Sequence, residues 1–368
     1  MPTPKSPSKV KARTKAAKAP TPPHAPAKAA RPRITSTADL AAYLDLSEWT
    51  VSRAINGHPE VKQATKDRIR QAMEETGFRP NPVARSLNGK RLGIIGVCFR
   101  HTLNPVVAGK ITLLDEALRR QGFQALLSIN RQDEENEIRI LAGFHHLRVD
   151  GVILVESYLS PAQVEGALRD MPRVYLDPSH PDLLPKVFLD RSRAMRLIVD
   201  HFVATGRSSI GLLGFSSNHR ARWEGVTKAF RAHGLDTRKI PSFELPEPGR
   251  ESYAEGIALA EAALAAKPLP SAFIALNDQI AAGAIQRFRE AGLRVPKDLA
   301  VVGFDNIDPG RFLKPTLSTI DQQVEIQIKH TVSLLLDQFA RPNDARLRER
   351  SIAVEPELVL RESSGGPA

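Results

Sequence analysis

The chain has 368 residues, enough for about two domains with sizeable apolar cores. Its 42% hydrophobic and 25% charged residues exclude a wholly disordered chain, a collagen and a disulfide-stapled miniprotein, and its single cysteine, Cys98, excludes an internal disulfide or a CxxC metal site and suits a reducing cytoplasm. The net charge of +11 lies wholly within the first 91 residues, since the rest of the chain carries 34 basic and 34 acidic side chains; a cationic head on a neutral body points to a polyanion partner, nucleic acid before membrane.

Residues 1–33 hold nine Lys/Arg, no Asp or Glu and eight prolines. So few large apolar side chains cannot offset the entropy of ordering, which predicts a disordered basic tail. Two roles stay open for it, a solubilising extension and a non-specific phosphate-binding arm. It lacks the apolar centre of a secretory signal, and no run approaches 18 apolar residues, so no membrane span is expected.

Residues 34–80 read as three short helices. Ser36 and Asp39 stand at capping-box spacing before Leu40, Ala41 and Leu44, giving a helix over Ser36–Leu44. After a break at Asp45-Leu46-Ser47, Ser47 caps a second helix, Glu48–Ile55, which Asn56-Gly57 ends. A third amphipathic helix runs from about Ala64 to Thr76 and stops at Gly77. Two helices joined by a three-residue turn and followed by a supporting helix form a helix-turn-helix pattern, although a generic three-helix bundle fits the periodicity too. A linker follows over 81–91.

From Leu92 the texture is α/β. Apolar runs predict strands at Leu92–Phe99, Phe123–Ile129, Gly151–Val155, Val174–Leu176, Val187–Leu189, Ile210–Phe215, Phe273–Leu276 and Ala300–Phe304. Helix-length stretches lie between most of them, among them Ala108–Arg120, Arg193–Thr205, Trp223–His233 and Ile280–Ala291. This is the signature of doubly wound parallel sheets, and the length calls for two lobes. The first lobe is expected over about 92–185 and 321–340, the second over about 186–320 and 341–362, with 363–368 as a tail.

The segments STADLAAYLDLSEWTVSRAING, EVKQATKDRIRQAMEETGFRPNPVARSL and VVGFDNI resemble the lactose/galactose repressor family over about residues 34–362. The resemblance implies a helix-turn-helix head, a hinge helix, and a two-lobed core like that of periplasmic sugar-binding proteins. It also implies a homodimer or tetramer that binds a pseudo-palindromic double-stranded DNA operator under the control of a small effector, such as a sugar or related metabolite. That reading makes the chain a transcription regulator, in this family most often a repressor, acting in the cytoplasm without a cofactor.

A recognition helix presents its N-terminal residues to base edges in the major groove. Here those are Glu48, Trp49, Thr50, Ser52 and Arg53, with Asn56 at the helix end; Arg53 suits a bidentate contact to guanine. Val51 and Ile55 face the bundle. The chain departs from the family in having Asp45 where glycine is usual and Glu48-Trp49 where small or polar residues are usual; packing against the bundle is the alternative role for Trp49. In the hinge, Asn81–Asn88, Pro82 suits a first helical turn. By resemblance the hinge folds only when paired over the operator, with Arg85 beside Leu87 and Leu87 wedged into the minor groove. An interdomain linker is the alternative.

In the core, the motifs place Asn104, Asp177, Asp190, Arg222, Asn277, Asp278 and Asp305 at strand ends facing an interlobe cleft. Such side chains pair hydroxyl-rich ligands, and Phe99, Trp223 or Phe304 could stack on a sugar ring or base, with core packing an equal alternative for each; helix capping is the alternative for Asp278. Arg191 replaces a usual asparagine and Val106-Val107 a usual aromatic. Arg100, His101 and Arg191 would make one mouth of the cleft basic, which suits an acidic sugar or a phosphorylated ligand, although solvated surface charge is the simpler account of all three.

No P-loop, GxSxG, HExxH or zinc spacing occurs, so no enzyme chemistry and no metal is expected; His145-His146 read as surface. Two rival functions remain. A transporter's solute-binding protein should carry a signal and no DNA-reading head. A DNA binder whose core only dimerises would ignore ligands altogether.

Overall fold

The computed structural model describes residues 34–56, 58–79, 91–100, 104–131, 133–216, 219–238, 240–244 and 252–366. The basic tail 1–33, the hinge Asn81–Asn88 with Arg85 and Leu87, and His101 lie outside the described residues. The chain forms two compact units, 1–84 and 85–368.

The head is a three-helix cluster. Helix α1 (Thr37–Leu44) starts with a full capping box: Asp39 N donates to Ser36 Oγ at 3.0 Å, and Ser36 N donates to Asp39 Oδ2 at 3.0 Å. Asp45 ends the helix in the left-handed conformation at φ 53°, a geometry that aspartate tolerates without the usual glycine. Helix α2 (Glu48–Ile55) is capped by Ser47, whose Oγ accepts from Thr50 N at 3.0 Å. Helix α3 (Gln63–Thr76) ends at Gly77, where φ 71° suits a residue without Cβ. Leu40, Leu44, Val51, Ala54, Ile69 and Phe78 pack between the helices, and Arg68 donates to the otherwise orphaned carbonyl of Leu44 at 2.8 Å.

The second unit has two lobes, each built on a parallel sheet. In the first, strands β1 (Ile94–Arg100), β2 (Gln124–Asn130), β3 (Gly151–Val155), β4 (Arg173–Leu176), β5 (Lys186–Leu189) and β11 (Ser351–Val354) lie in the order β11-β5-β4-β3-β1-β2. Helices α4 (Pro105–Arg120) and α11 (Val324–Ala340) bring Leu114, Leu118 and Leu335 to one face, onto Ile95, Val97, Ile153 and Val155. Helices α5 (Glu134–His146) and α6 (Pro161–Leu168) bring Leu141, Phe144 and Val164 to the other, onto Cys98, Val152 and Leu154. The alternation of partners along each strand is the period-2 pattern of a sheet covered twice. Gly96 is required here, because a Cβ would stand 2.7 Å from the Phe144 ring.

The second lobe has strands β6 (Ile210–Leu213), β7 (Ser242–Phe243), β8 (Ala272–Ala275) and β9 (Ala300–Val302) in the order β7-β6-β8-β9, with helices α7 (Arg191–Ala204), α8 (Arg220–Ala232), α9 (Tyr253–Ala265) and α10 (Asp278–Glu290). Its core centres on Phe202, Phe273, Phe288, Ile274 and Val301. Strands β10 (Thr319–Asp321) and β12 (Glu357–Val359) pair antiparallel, and α12 (Ala345–Arg348) precedes β11.

The lobe boundaries expected from the sequence need correction. Lys186–Leu189 and Ser351–Val354 belong to the first lobe's sheet, paired in parallel with each other. Residues 177–185 link parallel neighbours without a helix, and such a short link reads as a change of lobe because parallel strands usually need a longer crossover. Residues 363–366 are no loose tail: Ser363 Oγ donates to the Val301 carbonyl at 2.7 Å, and Ser364 Oγ lies 2.7 Å from Ser318 Oγ.

Candidate functional site

On α2, Glu48, Trp49, Ser52 and Asn56 are exposed, and Thr50 and Arg53 are half-buried. Trp49, 63% exposed, does not pack into the bundle. Its ring instead carries the Arg53 guanidinium at 3.9 Å, and the same guanidinium pairs with Glu60. Arg53 is thus held in one plane and on one edge. Thr50 Oγ1 lies 2.7 Å from Ser47 Oγ, and Asn56 donates to the Ser52 carbonyl at 2.6 Å, which occupies Asn56 in closing the helix. Sequence reasoning missed Glu60, although an acid seven residues beyond a recognition-helix arginine was a readable signal.

In the core, Asn104 and Asp305 meet across the lobes. Asn104 caps α4, its Oδ1 accepting from Val106 N at 3.0 Å, while its Nδ2 donates to Asp305 Oδ2 at 2.7 Å. Gln322 donates to the other Asp305 oxygen. Burial pushes the Asp305 carboxyl up to about 6, against the pull of Asn104, Arg222, Gln322 and Lys110. A pocket of about 970 Å³ opens beside this contact, lined by Pro105, Val106, Asp305, Asn306 and Asp321 among others. Arg222 lies with its guanidinium 4.0 Å over the Phe304 ring and donates to the Leu276 carbonyl at 2.6 Å.

The other expected ligand residues are engaged by the protein. Asp177 is buried, and its oxygens take Lys110, Arg191 NH1 at 2.8 Å and Leu189 N at 2.9 Å. Burial alone would raise its carboxyl, but Arg191 and Lys110 outweigh burial and hold it well below the usual carboxylate range. Asn277 caps α10 through Ile280 N at 2.8 Å. Asp278, the next residue, does not cap the helix: its oxygens accept from Thr319 Oγ1 at 2.5 Å and Ile307 N at 2.9 Å. Burial, then Asp305, push its carboxyl well above the usual range. Asp190 caps α7 through Arg193 N at 2.9 Å. Of the candidate stacking rings, Phe304 is core, and Trp223 is tied to the Ser216 carbonyl at 3.0 Å. Among the described residues no cluster suited to a metal ion occurs, and no helix is long and apolar enough to cross a membrane.

Residues 38–81 match the family model of bacterial regulatory proteins, lacI family, and residues 199–364 match that of the periplasmic binding protein-like domain. Over 338 residues, 88% of this chain and 97% of the relative, the chain is 30% identical to the HTH-type transcriptional repressor PurR of Pasteurella multocida (strain Pm70). The chain belongs to the LacI family. It is 29% identical over 290 residues to catabolite control protein A of Priestia megaterium, covering 77% of this chain and 86% of that one. The Lac repressor dimer bound to operator and the anti-inducer ONPF superposes with a TM-score of 0.79 at 26% identity, covering 90% of this chain and 99% of that one. As a LacI-family protein the chain is a DNA-binding transcription regulator, with a helix-turn-helix head and a two-lobed core of the periplasmic-binding-protein type. The PurR relative is an HTH-type transcriptional repressor.

Proposed function

We propose that the chain represses transcription as a cytoplasmic, non-catalytic homodimer, open to assembly as a tetramer, on a pseudo-palindromic operator. Residues 34–80 form the DNA-reading head and 81–91 the hinge. Glu48, Trp49, Thr50, Ser52 and Arg53 face the major groove, and Arg85 and Leu87 contact the operator centre. A small polar effector enters between the lobes and sets DNA affinity. The observation that carries this reading is the direct contact of Asn104 on one lobe with Asp305 on the other. An effector that competes for Asp305 changes what joins the lobes, and it shifts DNA affinity as far as its affinities for the two lobe arrangements differ.

The PurR relatives and the operator-bound Lac repressor support the repressor part of this reading. A second reading, in which the core only dimerises, draws on the way Asp177, Asn277 and Asp278 are already satisfied by protein groups. The test is operator selection from random DNA, followed by binding with and without ligands found by thermal shift. Asp305→Ala should keep operator binding and lose the ligand response, while Leu87→Ala should keep ligand binding and lose tight operator binding. An Asp305→Ala protein that responds normally puts the effector elsewhere.

A further inference from the structure

Charges beside the Asn104–Asp305 contact do not balance. Lys110 of α4 pairs with Asp177, and Arg100 pairs with Glu156 at 3.7 Å. Arg222 lies close enough to Asp305 to stabilise its carboxylate. Arg191 remains. Its NH1 shares Asp177, whose carboxylate Lys110 already neutralises, and among the described residues it makes no other ion pair. Its side chain is 23% exposed, unlike that of Lys110 at 1%, so it keeps donors open to a ligand.

The surroundings carry the same excess. His219, at the start of α8, is pushed down to about 4, by burial first and then by Arg222, with Arg191 and Arg100 adding to the effect. A neutral ligand would leave four cations, Arg100, Lys110, Arg191 and Arg222, sharing three carboxylates, Asp177, Glu156 and Asp305, as the lobes enclose it, whereas an acidic group would meet a planar fork suited to bidentate pairing.

Resting on the reading of the cleft as an effector site, we propose that the effector is a small polyol carrying one carboxylate or phosphate group, and that Arg191 receives that group. Arg191 is the first residue of α7, and besides Asp177 it lies close enough to Glu156 and Asp305 for both carboxylates to favour its charged form.

Thermal melting and calorimetric titration of the full chain would test this with three panels: neutral pentoses and hexoses, their uronic and aldonic acids, and their phosphate monoesters. The expected result is stabilisation by members of one acidic panel and none by the neutral sugars, the responding panel identifying the acid. Arg191→Gln should weaken that binding about ten- to hundredfold, as befits a lost hydrogen bond between charged groups, and Arg191→Lys should restore part of it. A melting scan of each variant without ligand checks that it is folded. Stabilisation by neutral sugars alone, or acidic ligands that bind Arg191→Gln as tightly as the parent, overturns the proposal and leaves the effector reading standing. Silence across all three panels overturns the proposal as well.

Discussion

Removing the carboxylate of Asp177 should damage the core more than removing its lysine partner. Asp177→Asn leaves the Lys110 ammonium, 1% exposed, without its counter-charge, and loses the charged acceptor for Arg191 as well. Breaking a buried pair in this way costs about 3–5 kcal/mol. Lys110→Met keeps the length of the side chain and leaves Asp177 bonded to Arg191 and Leu189 N, so the loss is nearer that of one charged hydrogen bond, about 1.5–3 kcal/mol. In a unit of this size, each kcal/mol corresponds to about 2–4 °C in Tm, so the pair should separate clearly in scanning calorimetry. The acidity of Asp177 adds a second signature. Its carboxyl lies below its usual range, so its stabilising contribution is full above about pH 4 and fades as pH falls further. The cost of Asp177→Asn should shrink over the same window. A variant pair in which Lys110→Met is the more damaging, or in which Asp177→Asn costs less than about 1 kcal/mol, would refute the ion-pair argument.

Arg53→Ala should cost about 1–3 kcal/mol of discrimination between operator and random DNA while leaving weak, salt-sensitive binding largely intact. Because Glu60 and Trp49 hold Arg53 in one plane, Glu60→Ala should relax base preference at the position Arg53 reads and raise non-specific affinity; selection from random DNA with unchanged preference would refute that role. Deleting residues 1–33 should flatten the log–log salt dependence of non-specific binding by about one unit per lost phosphate contact, with sequence preference hardly altered; an equal slope means the tail is not a DNA arm. The raised Asp305 carboxyl, at about 6, favours the protonated form in the folded protein, so the parent should lose stability relative to Asp305→Asn as pH rises from about 4 to 6 and hold level above. Melting curves of the two proteins that stay parallel across that range would contradict it.

The head was legible because its signals are local. Capping residues, a left-handed turn and a helix-ending glycine each act within four residues, and α1, α2 and α3 fall within two residues of where those signals put them. All eight of the core's apolar runs likewise became strands within two residues at either end. What the runs could not state was their partners, so Val187–Leu189 was assigned to the wrong lobe. Strands as short as Ser242–Phe243 and Ser351–Val354 carry too little pattern to stand out. In the cleft, residue type was readable but occupancy was not: Asp190 and Asn277 spend their oxygens on helix caps, which only three-dimensional placement reveals. Lys110 did leave a trace. It interrupts the stripe Val107, Ile111, Leu114, Leu118, and a lysine on the buried face of an amphipathic helix demands a carboxylate.

The place of Ser351–Val354 at the edge of the first sheet bears on how the chain is made. Synthesis delivers strands β1 to β5 first, yet the strand that pairs with β5 is encoded some 160 residues later. While the second lobe emerges and folds on local contacts, the β5 edge stands open, its backbone groups available to any other extended segment. The lobe that leaves the ribosome first is therefore completed last. A stop codon after residue 350 would remove under a twentieth of the chain and leave that edge permanently bare, so such a truncation should aggregate rather than yield a stable two-lobed fragment.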